Sequence, residues 1–398
     1  MKRKLIWGIY LVIFCLPLYL VRFKIFGIPT TVLEVLIYIL FIFWLVKRFR
    51  FKEFKKMFIA HCSLFIAIFL IIIGVSLATI FSSDLRTSAG IWKAWFIDPL
   101  LFFVILIATI KNIKQIKGVF YSLFLSGTVV SIISFIYLIQ GKLDPVNRLQ
   151  TFYDSPNYLA MYLAPMLILG CGLWFTTKKQ LIRVLLITSY VLLITNLFFT
   201  KSFGAWVGII IALAFGLIVY FFKKPVQSRK KFWAIFIFSV ILLVIIGCFS
   251  VQYRSSSLGA RLIIWEKAIS IYKINPFLGI GPGTFETYFP PYPEWGVPQP
   301  HNIFLAFLLQ TGLVGFIGFI WLLIYFFKIG FKLLTAHCSL FTVILVSIMF
   351  YILIHGLVDT WYWKNDLAVI FWTIVALLMV LSRLRSGSST AVGRKMTY

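Results

Sequence analysis

The sequence predicts an all-α, polytopic membrane protein with one long extracytoplasmic loop that carries an amphipathic helix. Three observations support this fold class. Hydrophobic residues make up 62% of the chain and charged residues 12%, a balance that excludes a soluble globular domain. Apolar runs recur at about the 20 residues that a membrane-spanning helix needs, and there are about twelve of them. Lys and Arg cluster in the connections on one side of these runs.

The apolar runs give the elements in chain order. The fourth run is short and carries Asp98-Pro99 near one end, and the tenth begins directly after Pro300-His301. The predicted spans are 5–21, 30–46, 62–81, 95–110, 118–139, 158–175, 181–199, 204–222, 232–250, 302–327, 339–357 and 366–382.

The basic connections set the orientation. They are Lys2-Arg3-Lys4, 47–56, 111–117, 176–180, 223–231 and the tail from Arg383, all on the same side of the predicted spans. Because cytoplasmic loops are enriched in Lys and Arg, we expect both termini to be cytoplasmic. We therefore expect a multi-pass protein of the cytoplasmic (inner) membrane.

The formal net charge of +27 could suggest nucleic-acid binding, but the basic clusters are short and lie at helix ends. Such clusters meet anionic lipid headgroups, so we expect the lipid bilayer and no nucleic acid as a partner. The sequence has no Walker-type phosphate loop, no HExxH and no carboxylates paired at metal-binding spacing. We accordingly predict no cofactor and no metal site.

The long outer loop, 251–300, contains a predicted amphipathic helix that ends near Asn275-Pro276. Its apolar positions recur at helical spacing and are Leu262, Trp265, Ile269 and Tyr272. Arg261 stands near the beginning of this helix, where a guanidinium can bind phosphate beside the helix terminus. The alternative is an interfacial arginine that only reaches toward lipid phosphate.

A glycine-rich turn, 279–285, follows the amphipathic helix, with Gly281 and Gly283 at alternate positions. Backbone of this kind can approach a ligand closely and position a substrate, although a purely structural turn remains open. The next segment, PPYPEWGVPQP, is rich in aromatic rings. Those rings could stack on sugars or anchor the loop at the membrane interface.

His301 opens the tenth predicted span, with Asn302 beside it, and His355 is the other histidine on the outer side. A neutral imidazole is a suitable general base for a hydroxyl group. The alternative is a polar cap at a membrane interface. Outer cations are also available at Arg148, Lys201 and Arg254, and several cations near the headgroup plane suit a lipid-anchored diphosphate.

Four segments together resemble the O-antigen ligase and polymerase superfamily of membrane glycan-transfer enzymes. In chain order they are RLQTFYDSPNYLAMYLAPM, TKSFGAWVGIII, GARLIIWEKAISIYKINPFLGIGPGTF and PHNIFLAFLLQTGLVGFIGF. The resemblance covers roughly 140–330. Over this range the sequence is similar to the family in the order and separation of its motifs, and before it only in hydropathy.

The resemblance implies a GT-C-like fold and metal-independent, inverting transfer of a glycan from an undecaprenyl diphosphate carrier at the outer face. It implies that His301 is the base and that Arg261 binds the diphosphate, with Arg148 at a further basic position. Many family members carry an Arg where this chain has Phe203, so Lys201 is the expected substitute, as a point charge without the fork of Arg. The implied acceptor is a glycan or a lipid anchor.

The chain would then divide into 1–139 with the first five helices, a ligase-like core over 140–330, and 331–398 with the last two helices and a basic tail. Three family activities remain open, namely polymerase, ligase to a lipid anchor, and transferase to protein. Two other classes compete with them. One is a flippase or secondary transporter, and the other is a relative of the cell-wall polymerases of the shape-and-division type.

Overall fold

A computed structural model describes residues 2–222, 255–289 and 297–393 of the chain. The predicted ninth span, 232–250, and the predicted site residue Arg254 lie outside the described residues. So does most of the aromatic arm, 290–296.

The described residues are almost entirely helical. The first helices are α1 (Lys2–Phe14), α2 (Val32–Arg48), α3 (Phe51–Ala60), α4 (Cys62–Ile80), α5 (Leu85–Ile91) and α6 (Asp98–Thr109). They are followed by α7 (Ile113–Ile139), α8 (Pro156–Thr176), α9 (Gln180–Phe199), α10 (Phe203–Phe222), α11 (Ser255–Tyr272) and α12 (Phe285–Tyr288). The last three are α13 (Ile303–His337), α14 (Leu340–Gly356) and α15 (Asn365–Gly393).

An all-α polytopic membrane protein is confirmed. In the part of the chain that the structure describes, eight helices are long and apolar enough to cross a membrane. Every predicted span in that part coincides with a helix, although α1, α2 and α14 are shorter than the eight. The count of about twelve spans and the GT-C-like class therefore stay predictions.

The fourth span begins about ten residues earlier than predicted. Asp84 caps α5 by accepting a hydrogen bond from the Thr87 amide at 3.0 Å. A π-helical turn, Trp92–Ile97, then joins α5 to α6, so that Leu85–Thr109 forms one span. The polar residues before Trp95 had suggested a loop, but the cap starts the helix among them. As a result Asp98 lies inside the span, where it is buried.

A short β-hairpin connects the first two helices, which the sequence had not indicated. Its strands are β1 (Arg22–Ile25) and β2 (Ile28–Thr31), paired antiparallel. Phe26 and Gly27 form the turn with φ of 49° and 81°, the backbone that a two-residue hairpin turn favours. A 3₁₀ helix, Leu16–Leu20, links α1 to this hairpin.

Helix α13 is broken at Gly312, and the break binds the outer loop to the bundle. Gly312 has φ 66° and ψ −178°, a backbone region that is essentially limited to glycine. The interruption lets the Leu313 amide donate to the Phe277 carbonyl at 3.1 Å. The Ile280 amide donates to the Leu309 carbonyl at 2.7 Å. The loop between α11 and α12 is thereby fixed to the middle of a membrane helix.

Different helix ends and turns meet at the two ends of the bundle. At one end lie the termini of α8, α9, α11 and α13 and the turn between α14 and α15. At the other end Arg383 of α15 donates to the carbonyls of Ile107 and Ile110 at the end of α6. Asn365 and Arg383 are 18 positions apart on one helix, which is about 27 Å at 1.5 Å per residue. The end around Arg383 is the one that the charge pattern predicts to be cytoplasmic.

Candidate active site

His301 lies at the beginning of α13 and is held there by its neighbour. Its φ is 47°, so the chain turns sharply before the helix begins. The Asn302 side chain caps the helix by accepting hydrogen bonds from the amides of Phe304 and Leu305 at 2.9 and 3.1 Å. The same side chain donates to the Leu357 carbonyl at 3.0 Å. Asn302 therefore joins the start of α13 to the turn after α14.

That turn carries an aspartate that contacts the imidazole. Asp359 Oδ1 lies 3.1 Å from His301 Nδ1, with 4% of the Asp359 side chain exposed and 32% of His301. Burial raises the pKa of Asp359, but the hydrogen bond from His301 and the charges of His301, His355 and Arg261 lower it by more, so its pKa lies below the usual value. An ionised Asp359 requires a proton on His301 Nδ1, which leaves Nε2 as the acceptor.

A second oxygen of the same carboxylate connects to Arg148. Asp359 Oδ2 accepts from Asn157 Nδ2 at 2.7 Å, and Asn157 Oδ1 accepts from Arg148 Nη2 at 2.7 Å. Asn157 lies in the first turn of α8, where Ser155 accepts from its amide. Arg148 is thus connected to His301 through the side chains of Asn157, which is partly buried, and Asp359, which is buried.

Arg148 also holds the connection between α9 and α10. Its Nε donates to the Thr200 carbonyl at 2.9 Å. Burial lowers the pKa of Arg148, the charges of Asp144 and Asp359 raise it, and the charge of Arg261 lowers it. Two guanidinium groups, Arg148 and Arg261, therefore share this part of the protein with the carboxylates of Asp144 and Asp359.

Helix α11 positions Arg261 next to this network. Arg261 Nε donates to the Val358 carbonyl at 2.8 Å, and one turn later Trp265 Nε1 is 3.4 Å from the His301 carbonyl. Both side chains lie on one face because they are four residues apart on a helix. The amphipathic helix of the outer loop therefore reaches the backbone on both sides of the His301–Asp359 pair.

The buried stripe of α11 differs from the predicted apolar positions. Ile264, Ala268 and Ile271 are buried, whereas Leu262 and Ile269 are about half exposed. Trp265 and Tyr272 pack beside the buried stripe. The sequence predicted the helix itself, but it did not predict correctly which face of the helix packs against the rest of the protein. Its position along the membrane surface stays a prediction.

Lys201 stands in the short turn between α9 and α10 with φ 47°, directly after the residue that Arg148 holds. It is exposed. The position of the missing family Arg is also near the site, because a Cβ at the adjoining Gly204 would lie 2.7 Å from both His355 and Val358. Phe203 is therefore the first residue of a helix, α10, that packs on the turn carrying Asp359. Lys201 lies two positions before it.

The structure does not bring Gly281 and Gly283 to this site. Their φ values are 90° and 81°, which agrees with the tight turn predicted for this segment. A Cβ on Gly281 would lie 2.4 Å from Ser82, and one on Gly283 would lie 2.3 Å from Ile91. The Gly283 amide donates to Gln310 of α13 at 2.8 Å. The described contacts of these glycines are therefore packing contacts against the bundle.

His355, the other outer histidine, lies at the end of α14, and its charge lowers the pKa of Asp359. It is buried, and its Nδ1 is 2.8 Å from the hydroxyl of Tyr351.

Among residues 2–222, 255–289 and 297–393 there is no group of three or more His, Cys, Asp or Glu side chains that could hold a metal ion.

Residues 188–320 match the family model described as O-antigen ligase. The resemblance to the O-antigen ligase and polymerase superfamily is thereby confirmed, and the match supports a membrane ligase- or polymerase-type function in general. A search of curated proteins finds no match.

The matched range contains Lys201, Arg261 and His301, whereas Arg148 and Asp359 lie on either side of it. The sequence did not indicate Asp359, and it assigned no role to Asn157. The one signal available was an acidic residue in a short outer turn, followed by Trp361 and Trp363. An acidic residue in such a turn does not indicate which side chain it contacts.

Proposed function

We propose that this protein transfers an oligosaccharide or polysaccharide from an undecaprenyl diphosphate carrier to an acceptor hydroxyl at the outer face of the membrane. The observation that carries the proposal is the His301–Asp359 pair with Arg148 and Arg261 beside it. A base and cations for a diphosphate are the two requirements of such a transfer. The family match supports the same general type of reaction.

In this proposal His301 Nε2 accepts the proton of the acceptor hydroxyl. Asp359 holds the ring through Nδ1, fixes its tautomer and stabilises the imidazolium that forms. The acceptor oxygen attacks C1 of the donor sugar while the bond from C1 to the diphosphate oxygen breaks. The attack from the opposite side inverts the anomeric centre. General base catalysis of this kind contributes about 10²–10⁴-fold.

The leaving group is undecaprenyl diphosphate, on which negative charge develops as the bond breaks. Arg261 and Arg148 are held by hydrogen bonds to fixed carbonyl and amide oxygens, so their charges are positioned before the reaction. Preorganised cations stabilise a developing anion more strongly than mobile ones. Lys201 adds an exposed ammonium at the neighbouring turn. The proposed reaction assigns no role to a metal ion.

The acceptor separates the polymerase from the ligase. The test is purified protein in lipid nanodiscs, supplied with undecaprenyl-diphosphate glycan from the source organism, with and without an added acceptor. Released undecaprenyl diphosphate and the size of the glycan are measured together. A ladder of glycan lengths without any added acceptor identifies a polymerase. Carrier release only in the presence of a lipid-anchor or protein acceptor identifies the corresponding ligase or transferase.

A flippase is the second candidate, and one observation favours it. Asp98 lies buried within the span Leu85–Thr109, and buried carboxylates in spans are typical of proton-coupled carriers. The same nanodisc preparation distinguishes the two candidates. Movement of the lipid-linked glycan between leaflets without release of undecaprenyl diphosphate would favour the flippase and contradict the transferase.

A further inference from the structure

A second polar site lies at the end of the bundle opposite His301. It is a cavity of about 400 Å³ at the junction of α1, α2, α3, α6, α7 and α15. Four of its lining side chains are cations and one is a carboxylate. The cations are Arg48, Arg50, Lys111 and Arg383, and the carboxylate is Glu53. The site belongs to the face predicted to be cytoplasmic and has no part in the proposed glycan transfer.

The lining of the cavity has a charged part and an apolar part. Leu5, Trp44 and Met57 contribute to the cavity and are buried, with 2%, 5% and 8% of their surface exposed. Asn112 and Gln115 add amide groups. A soluble anion would gain nothing from the apolar lining. A phosphate esterified to glycerol and acyl chains can use both parts of the cavity, because such a molecule joins an anion to hydrocarbon.

One of the four cations, Arg383, is fixed by hydrogen bonds. Arg383 donates through Nη1 and Nη2 to two carbonyls at 2.8 and 2.6 Å, which orders its guanidinium. Glu53 lies 3.5 Å from Arg50 and 3.9 Å from Lys111, so it holds two further cations near each other. One carboxylate among four cations leaves an excess of positive charge. Such an excess attracts phosphate.

The surroundings place this cavity at the level of the lipid headgroups. Leu45 and Val46, just before Lys47 and Arg48 at the end of α2, are 45% and 68% exposed, as expected for a lipid-facing surface. Helix α3 follows with exposed Phe51 and Ile59 on a short helix that also carries several lysines. Aromatic and aliphatic side chains mixed with lysine are typical of a helix that lies in the membrane interface.

We propose that this cavity binds the headgroup phosphate of an anionic glycerophospholipid from the cytoplasmic leaflet, of the phosphatidylglycerol type. The bound lipid would hold the end of α2, the start of α3 and the end of α15 together through Arg48, Arg50 and Arg383. Basic pockets between transmembrane helices on the cytoplasmic side take anionic headgroups by the same chemistry. Binding to the folded state alone raises its stability in proportion to the logarithm of ligand concentration.

The test is thermal unfolding of the full-length protein in a zwitterionic detergent, titrated with short-chain phosphatidylglycerol. Parallel titrations use phosphatidylcholine of the same chain length and inorganic phosphate. We expect a saturable rise in Tm with phosphatidylglycerol and no comparable rise with the other two. An equal response to phosphatidylcholine would overturn the headgroup assignment. An equal response to inorganic phosphate would overturn the lipid as the source of the phosphate.

The test variant is Arg48→Gln with Arg50→Gln, and the matched control is Lys52→Gln with Lys55→Gln. Both variants remove two charges from the same region, but Lys52 and Lys55 do not line the cavity. We expect the apparent affinity for phosphatidylglycerol to fall about tenfold or more in the test variant, since each lost cation weakens attraction to an anionic lipid. The control should bind as the wild type does.

Equal affinity in the test variant and the wild type would contradict the proposal. Size-exclusion chromatography and circular dichroism establish whether the double variant folds. If it does not fold, Lys111→Gln replaces it, because Lys111 is exposed at the edge of the cavity. The single variant is then expected to show a smaller loss of affinity in the same direction, and unchanged affinity would overturn the proposal.

Discussion

Asp359 Oδ1 lies 3.1 Å from His301 Nδ1 although the two residues are 58 positions apart in the chain. Asn302 reinforces this pairing by bonding to the carbonyl of Leu357 in the same turn. The other oxygen of Asp359 continues through Asn157 to Arg148. The proposed base, His301, is therefore oriented by the buried carboxylate of Asp359. That carboxylate is connected in turn to Arg148, which is proposed to bind the diphosphate of the donor.

Replacement of Asp359 by Asn tests whether the carboxylate positions the base. We expect kcat for glycan transfer to fall about 10²–10⁴-fold, because an amide at this position can hold the ring in the wrong tautomer. KM for the lipid-linked donor should change little. Initial rates in nanodiscs give both parameters.

The control for this variant is Asp154→Asn, which removes a carboxylate that is 61% exposed and pairs with Lys364. Its kcat should stay within a few fold of the wild type. A kcat for Asp359→Asn as high as that of the control would refute the positioning role.

Replacement of Arg261 tests the binding of the leaving group. Arg261→Gln should lower kcat by about 10²–10³-fold, the range found when one preorganised donor to a developing anion is removed. Arg261→Lys should fall between the wild type and the Gln variant, because Lys keeps the charge and loses the planar fork. Steady-state release of undecaprenyl diphosphate measures the effect.

Lys267→Gln is the control for Arg261, since Lys267 is exposed on the same helix. A loss of kcat in Lys267→Gln equal to that in Arg261→Gln would show that general positive charge on α11, and not the placed guanidinium, is responsible.

Gly312→Ala tests the break that fixes the outer loop. A Cβ at this position would lie 2.2 Å from the Phe277 carbonyl oxygen, and the backbone conformation is itself strained for any other residue. We expect a destabilisation of at least about 1–3 kcal/mol, seen as a lower Tm in detergent. Gly90→Ala is the control, because nothing lies within 4 Å of the added methyl group. A Tm for Gly312→Ala that equals the control would contradict the described backbone.

The pH dependence of stability follows from Asp359. Its pKa in the folded protein lies below the ordinary value, which is about 3.9 for an unfolded chain. The resulting stability is fully present above that ordinary value and is lost as the pH falls below about 4 toward the folded pKa. Stability of the wild type should therefore decline more steeply below about pH 4 than that of Asp359→Asn. Tm values of both proteins across pH 3–7 give the comparison, and parallel curves would disagree with it.

Much of the fold could be predicted because spans are long and apolar, and their hydropathy is a local property of the sequence. The start of the fourth span could not, since the helix from Leu85 begins among polar residues. The break at Gly312 was also hidden, because the residues from Ile303 onward read as one apolar run. Only the docking of Phe277 and Ile280 explains it.

The candidate site was also predicted in part from the sequence. Motifs brought attention to His301, Arg261 and Arg148, and the fold places all three around one turn. Asp359 has no local signature, and its role depends on a contact between two distant segments. The glycines of the outer loop illustrate the opposite case, because the turn was predicted and its described contacts are packing contacts on α4, α5 and α13.

The most direct test of the central claim is the release of undecaprenyl diphosphate by His301→Ala in nanodiscs that contain the lipid-linked glycan donor and its acceptor. We expect turnover to fall about 10²–10⁴-fold, with the donor still bound, because Arg148 and Arg261 remain. Binding of the donor is measured in the same preparation. Turnover near the wild-type rate would contradict the assignment of His301 as the base and with it the proposed mechanism.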